Sequence, residues 1–137
     1  MLGDRIGVVS FVDEYTPEFR RRWRINGISF NIVSFRSIGM MYTEFHKNKK
    51  ELEKRFLEAA EKAINIDGAD IIFANCVSFF PNLPERKILE KKLGVPVIDS
   101  LGICVKMCEA LVNLGYMHSR KAYPKIKDVE FIRALTD

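Results

Sequence analysis

Asp70-Ile71-Ile72-Phe73-Ala74-Asn75-Cys76-Val77-Ser78 is a continuous apolar run that ends in a thiol flanked by Asn75 and Ser78. Such a run, with no polar face, is expected of a strand covered on both sides, as in a parallel sheet. A second short run, Leu93-Gly94-Val95-Pro96-Val97-Ile98-Asp99-Ser100, ends in an acid. Parallel sheets place ligand sites just outside the carboxyl ends of their strands, so both polar ends address one crevice.

Working outward, Arg5 to Phe11 reads as a first strand, with Ile6, Val8 and Val9 for burial and Gly7 where backbone packs closely. Thr16-Pro17-Glu18 then supplies a cap, a proline at the first helical position and an acid in the first turn, opening a helix that runs to Asn26 and stops at Gly27. Ile28 to Phe35 reads as the second strand, and Ser37 to His46 as a long loop. Lys49 to Asp67 is the strongest helix, because Leu52, Phe56, Ala59 or Ala60, and Ala63 recur at helical spacing and Gly68 closes it. After the Asp70 to Ala74 strand come a charged helix over Pro84 to Lys92, a strand over Val95 to Ile98, and a helix over Leu101 to Leu114. That last helix is apolar on most of its circumference, which predicts packing on more than one side. The alternation βαβαβαβα implies an α/β fold with a parallel sheet and right-handed crossovers. The expected organisation is a single α/β domain over residues 1–115 and a tail over 116–137 that is available for docking.

At 137 residues the chain is long enough to bury a core without staples, and 47% hydrophobic with 29% charged residues is ordinary for a globular protein. It contains no apolar run of about 20 residues and no signal-peptide pattern at its start, so no membrane partner is expected. Three cysteines without framework spacing fit a reducing, cytoplasmic setting. The net charge of +4 is mild. Its visible clusters, Arg20 to Arg24 around Trp23 and Lys47 to Lys50, read as solvated surface, so nucleic acid is not the expected partner.

Cys76 is the candidate for chemistry. If the chain turns after it, the N–H groups of that turn, Val77 among them, gather around the thiol, which then serves as nucleophile or general base. Asn75 and Ser78 are candidate donors to a carboxylate or to a developing oxyanion. Asp99 could orient a substrate amine or hydroxyl, and Ser10, at the end of the first strand, faces the same crevice; Thr16 stands nearby in sequence. Each has a structural alternative: a small buried cysteine, a turn-satisfying Ser78, and an Asp99 that only caps the following helix. Cys104 and Cys108 share a helix face but have no third or fourth ligand nearby, so they read as packing and not as metal ligands. His118 reads as a surface histidine. No glycine-rich phosphate loop or dinucleotide fingerprint is present, and no cofactor is expected.

The segments Gly68 to Cys76, Leu93 to Asp99 and Val105 to Leu111, with Leu114 to Pro124 after them, resemble the aspartate/glutamate/hydantoin racemase superfamily, and within it the second half of hydantoin racemase-like members. The resemblance implies a flavodoxin-like three-layer domain with a four-stranded parallel sheet. It also implies cofactor-independent proton transfer at a carbon next to a carboxyl or hydantoin carbonyl. In such proteins two similar halves face each other and each supplies one cysteine; Cys76 corresponds to that of the second half. The partner implied is a small carboxylate or hydantoin-like molecule. Because only the second half is matched, three alternatives stand. Two chains pair as a homodimer with two Cys76 thiols facing one site, the chain is an inactive half-domain that binds small anions or regulates, or it was shortened from a longer product. Relatives with a single cysteine decarboxylate, so an isomerase is expected first and a decarboxylase second.

Overall fold

The sheet forms where the apolar runs predict it. In the computed structural model, residues 2–28, 31–80 and 82–124 are described. Four strands, β1 (Ile6–Ser10), β2 (Ile32–Ser37), β3 (Ile71–Ala74) and β4 (Val97–Ile98), are all parallel in the order β2-β1-β3-β4. They alternate with helices α1 (Thr16–Ile25), α2 (Lys49–Asn65), α3 (Arg86–Leu93) and α4 (Ser100–Asn113). This is the expected α/β, flavodoxin-like arrangement. The residues divide into two compact units, Met1–Cys104 and Val105–Asp137.

The two faces of the sheet follow from strand alternation. Val8 pairs with Phe35 and Phe73, and Trp23 of α1 packs on those two rings at 5.6 and 5.5 Å. One step along each strand, Val9, Ala74 and Val97 share the opposite core with Leu52, Phe56, Ala59, Ala60 and Ala63 of α2 and Leu89 of α3. Gly7 lets α2 approach closely, since a Cβ there would lie 2.8 Å from that of Ala69 and 3.0 Å from that of Ala63. The start of α2 is capped by Asn48, whose side chain accepts the Glu51 N–H.

Some boundaries move, for physical reasons. β2 begins at Ile32 and not at Ile28, because Ile28 is used to end α1: its N–H reaches the Trp23 carbonyl while Gly27, at φ 68°, bonds Arg24. Ser29 and Phe30, read as part of that strand, lie outside the described residues. The segment after β2 is not a plain loop. Ile38 and Met40 donate to the carbonyls of Ser10 and Phe11, and Ile38, Met40 and Phe45 are buried. Trp23 is taken up by its aromatic contacts, and the Arg20 guanidinium lies 4.6 Å from the Phe35 ring centroid. In the second unit α4 ends at Gly115, φ 73°, with the Tyr116 N–H on the Leu111 carbonyl. Beyond Pro124 the tail lies outside the described residues. No helix among the described residues is long and apolar enough to cross a membrane.

Candidate functional site

The carboxyl ends of the strands form a row of small polar groups. Ser10 pairs with Ser37 on β2, and Val9 with Ala74 on β3. The Asn75 N–H continues that ladder onto the Val9 carbonyl at 2.9 Å, so Asn75 stands level with Ser10. Phe73 pairs with Ile98, the last residue of β4, and Ser100 follows two residues on, at the first position of α4. By alternation Ser10 and Asn75 continue the Val8 and Phe73 positions, on the α1 side of the sheet.

Three atoms at or just past these strand ends are buried without a hydrogen-bond partner among the described residues: Ser10 Oγ, Asn75 Nδ2 and Ser100 Oγ. Ser10 as a whole is only 1% exposed. Buried polar atoms without partners are uncommon in folded proteins and call for a water or a ligand.

Cys76 follows directly, half-buried and with a free thiol. Its backbone is extended, and its carbonyl accepts the Phe79 N–H at 3.1 Å, which begins a 3-10 turn over Val77–Phe79. The first N–H groups of such a turn have no internal acceptor. Among the described residues none accepts from Val77 or Ser78 either. Phe79 holds the turn in place: it is fully buried, stacked on Phe45 at 5.0 Å and edge-on to Phe56 at 5.3 Å. The Ser78 carbonyl accepts the Asn82 side-chain N–H at 2.9 Å.

The fold thus brings Ser10, Asn75, Cys76, Val77 and Ser78 to one end of the sheet. Asp99 is there too, but its Oδ1 accepts the Gly102 N–H at 2.9 Å, so it caps α4. A Cβ at position 102 would meet the Asp99 carboxylate, so a larger residue there would have to displace that cap. Thr16 begins α1 and shows no hydrogen bond to the row. Ser100 was not singled out from sequence; its only signal was its place directly after the acid at a strand end. Cys104 and Cys108 are exposed and free. No group of three or more His, Cys, Asp or Glu side chains among the described residues could hold a metal. In the second unit, His118 Nε2 lies 3.1 Å from Arg120 Nη1, and the His118 ring is edge-on to Tyr123.

The main charged cluster lies on the other face of the sheet. Arg36 holds Asp67 through two 2.8 Å contacts and Ser34 Oγ donates to the same carboxylate at 2.5 Å. The Arg36 hydrogen bond, then that of Ser34, keeps the Asp67 carboxyl below its ordinary pKa, and the same contact raises Arg36. A cavity of about 440 Å³ lies beside this strand, lined by Asp13, Arg36, Ser37, Arg55, Glu58 and Lys62 among others. Cys76 does not line it; its side chain packs against the α2-side core, and we place the candidate site at the strand ends around it, where the turn after Cys76 has N–H groups with no acceptor among the described residues.

The model of the Asp/Glu/hydantoin racemase family matches residues 1–108. A hydantoin racemase of Rhizobium meliloti is 37% identical over 95 residues, covering 67% of this chain and 38% of the relative. That of Paenarthrobacter aurescens is 25% identical over 126 residues, covering 91% and 52%. The crystal structure of an allantoin racemase from Pseudomonas fluorescens superposes with a TM-score of 0.76 at 28% identity, covering 93% of this chain and 55% of that one. An allantoin racemase from Klebsiella pneumoniae, at 22% identity and a TM-score of 0.75, shares the fold. The chain spans about half the length of the relatives it matches. On this match and this architecture, the chain belongs to the Asp/Glu/hydantoin racemase family.

Proposed function

We propose that this chain is the Cys76-bearing half of a cofactor-independent racemase, and that it works as a homodimer. The Cys76 thiolate takes the proton from a carbon next to a carbonyl, and its S–H bond forms as the C–H bond breaks. The electron pair moves onto the carbonyl, where the N–H groups of Val77 and Ser78 face the developing oxyanion. Asn75 and Ser10 hold the substrate. A second thiol, Cys76 of the other copy, gives its proton to the opposite face of the carbon. The first thiol then holds the proton the second has lost, so the pair returns to its starting state when the next substrate runs in reverse or the proton exchanges with water.

The observation that carries this reading is the place of Cys76, just past the end of the central strand β3 and before a turn with unused N–H groups. The family match supports proton transfer, and the named relatives are racemases, so decarboxylation is not carried forward. Pairing of two copies is supported by the exposed apolar residues at the start of α4, Leu101 and Ile103. Free cysteines suit a reducing cytoplasm. The test is exchange of the α-hydrogen of 5-substituted hydantoins and of amino acids in D₂O, followed by proton NMR. Exchange that disappears in Cys76→Ala supports the reading. Exchange that survives the substitution removes Cys76, and binding without any exchange by the native chain leaves the binding-module alternative.

A further inference from the structure

We infer that the open edge of β2 is a docking strand for an extended acidic segment of another protein, with carboxylates at alternate positions and neutral polar side chains between them. Among the described residues β2 is the outermost strand on its side of the sheet and pairs only with β1. The Ile38 N–H reaches the Ser10 carbonyl just past β2, so by alternation Ser37 and Phe35 turn their own N–H and C=O groups outward. No loop backbone among the described residues bonds them. A six-residue edge with unused backbone groups can take one more strand, and the main-chain hydrogen bonds then supply affinity whatever the partner's sequence. β1 separates this edge from β3, so it is not part of the candidate site around Cys76.

The flanks of the edge choose the partner. On the α1 side Arg20, Trp23 and Arg24 line a groove of about 90 Å³ with Ile32 and Phe35, and no acid lines it. Arg20 is placed beside the edge by its contact with the Phe35 ring. Neither guanidinium has an ion pair among the described residues. Residues four apart on a helix lie about 5–6 Å from each other. Alternate residues of a strand lie about 6.6 Å apart, so two carboxylates at i and i+2 of an added strand match Arg20 and Arg24. The α2 side makes no such demand. There Arg36 and Arg55 are held by Asp67 and Glu51, while Asp13, Glu58 and Lys62 offer both signs, a mixture suited to a side chain that donates and accepts, such as threonine. Charge also disfavours a second copy as the occupant. Antiparallel pairing of two β2 edges about a two-fold axis keeps both α1 helices on one face and sets Arg20 and Arg24 against their own counterparts, where like charges repel.

The test titrates the full-length chain into a fluorescent peptide of alternating glutamate and threonine at neutral pH and reads anisotropy, with amide hydrogen exchange followed by NMR. The peptide is expected to bind and to slow exchange at the Phe35 and Ser37 N–H groups. A lysine–threonine peptide, and a fully N-methylated glutamate–threonine peptide that keeps the charge without N–H donors, should each bind at least about tenfold more weakly. Arg20→Gln combined with Arg24→Gln should weaken the native peptide by about tenfold. Arg21→Gln combined with Arg22→Gln removes the same charge outside the groove and should change the affinity little. Circular dichroism checks that each variant folds. No measurable binding, equal affinity for the lysine or the N-methylated peptide, equal losses in the two double variants, or unchanged exchange at Phe35 and Ser37 overturns the inference. Duplex DNA that binds as tightly as the peptide and displaces it assigns the arginines to nucleic acid and overturns it as well.

Discussion

The backbone N–H of Asn75 donates to the carbonyl of Val9 at 2.9 Å, one residue beyond the last residue of β3. The ladder therefore extends into the site, and Cys76 leaves the sheet from a fixed point. A thiol carried on rigid backbone needs little ordering when substrate arrives. Replacing Cys76 by Ala is expected to lower α-proton exchange by about 10²–10⁴-fold, the usual worth of a positioned acid or base. Thermal unfolding should move little, since the side chain is half-buried. A fall in exchange matched by a large loss of stability would point to packing and not chemistry.

Phe79→Ala should be among the most damaging core substitutions. It removes a fully buried ring from its stack with Phe45 and its edge contact with Phe56. A loss of about 3–5 kcal/mol is expected in urea unfolding. Because the same residue anchors the turn after Cys76, the thiol should also alkylate differently in the variant while it is still folded.

Gly7→Ala tests the close approach of α2. The new methyl group would meet the Cβ atoms of Ala69 and Ala63 at 2.8 and 3.0 Å. Overpacking of this kind costs about 1–3 kcal/mol. An unchanged denaturation midpoint would mean that α2 can shift away without loss.

Acid should weaken the fold through Asp67. Arg36, then Ser34, hold its folded pKa below the ordinary value. A carboxyl depressed on folding stabilises the protein fully above its unfolded pKa of about 4, and that contribution is lost as pH falls through the lower folded value. Asp70 acts in the same direction, because the backbone N–H groups of Arg5 and Asp4 bond its carboxylate. Asp67→Asn should cost about 1 kcal/mol at neutral pH, a figure discounted for the partial exposure of the pair. It should also flatten the stability profile below about pH 4. Chemical denaturation at a series of pH values checks both, and an acid limb as steep as that of the native chain would exclude the pair as its cause.

Pairing of two copies predicts a mass of twice the monomer in analytical ultracentrifugation. Ile103 is 48% exposed on α4, so Ile103→Glu should leave the folded monomer intact. If α4 contributes to the interface, the dimer dissociation constant should rise about tenfold or more, as for loss of a buried apolar contact. A monomer at every concentration would remove the two-thiol mechanism.

Periodicity made the alternation of strands and helices readable, and the apolar run into Cys76 marked β3, because a strand buried on both faces leaves a plain record. Ile38, Met40 and Phe45 left no such record: they reach the core from irregular backbone, where no period relates them. The start of β2 was obscured because Ile28 looks like a strand residue while its N–H finishes α1. The Arg36–Asp67 pair joins residues 31 apart in sequence, a distance over which local pattern says nothing. Ser100 was hidden by its neighbour, since an acid followed by a serine before an apolar run reads as helix capping.

Phe79 gives the thiol a history separate from its substrate. The position of Cys76 descends from the aromatic packing of the interior, whereas Ser10 and Asn75 carry polar groups that no other part of the described fold uses. A library varied at those two positions would sample new ligands on an unchanged chemical apparatus, and one varied at Phe79 would mostly collect unfolded chains. On the proposed function, recognition can drift in this domain while reactivity stays fixed.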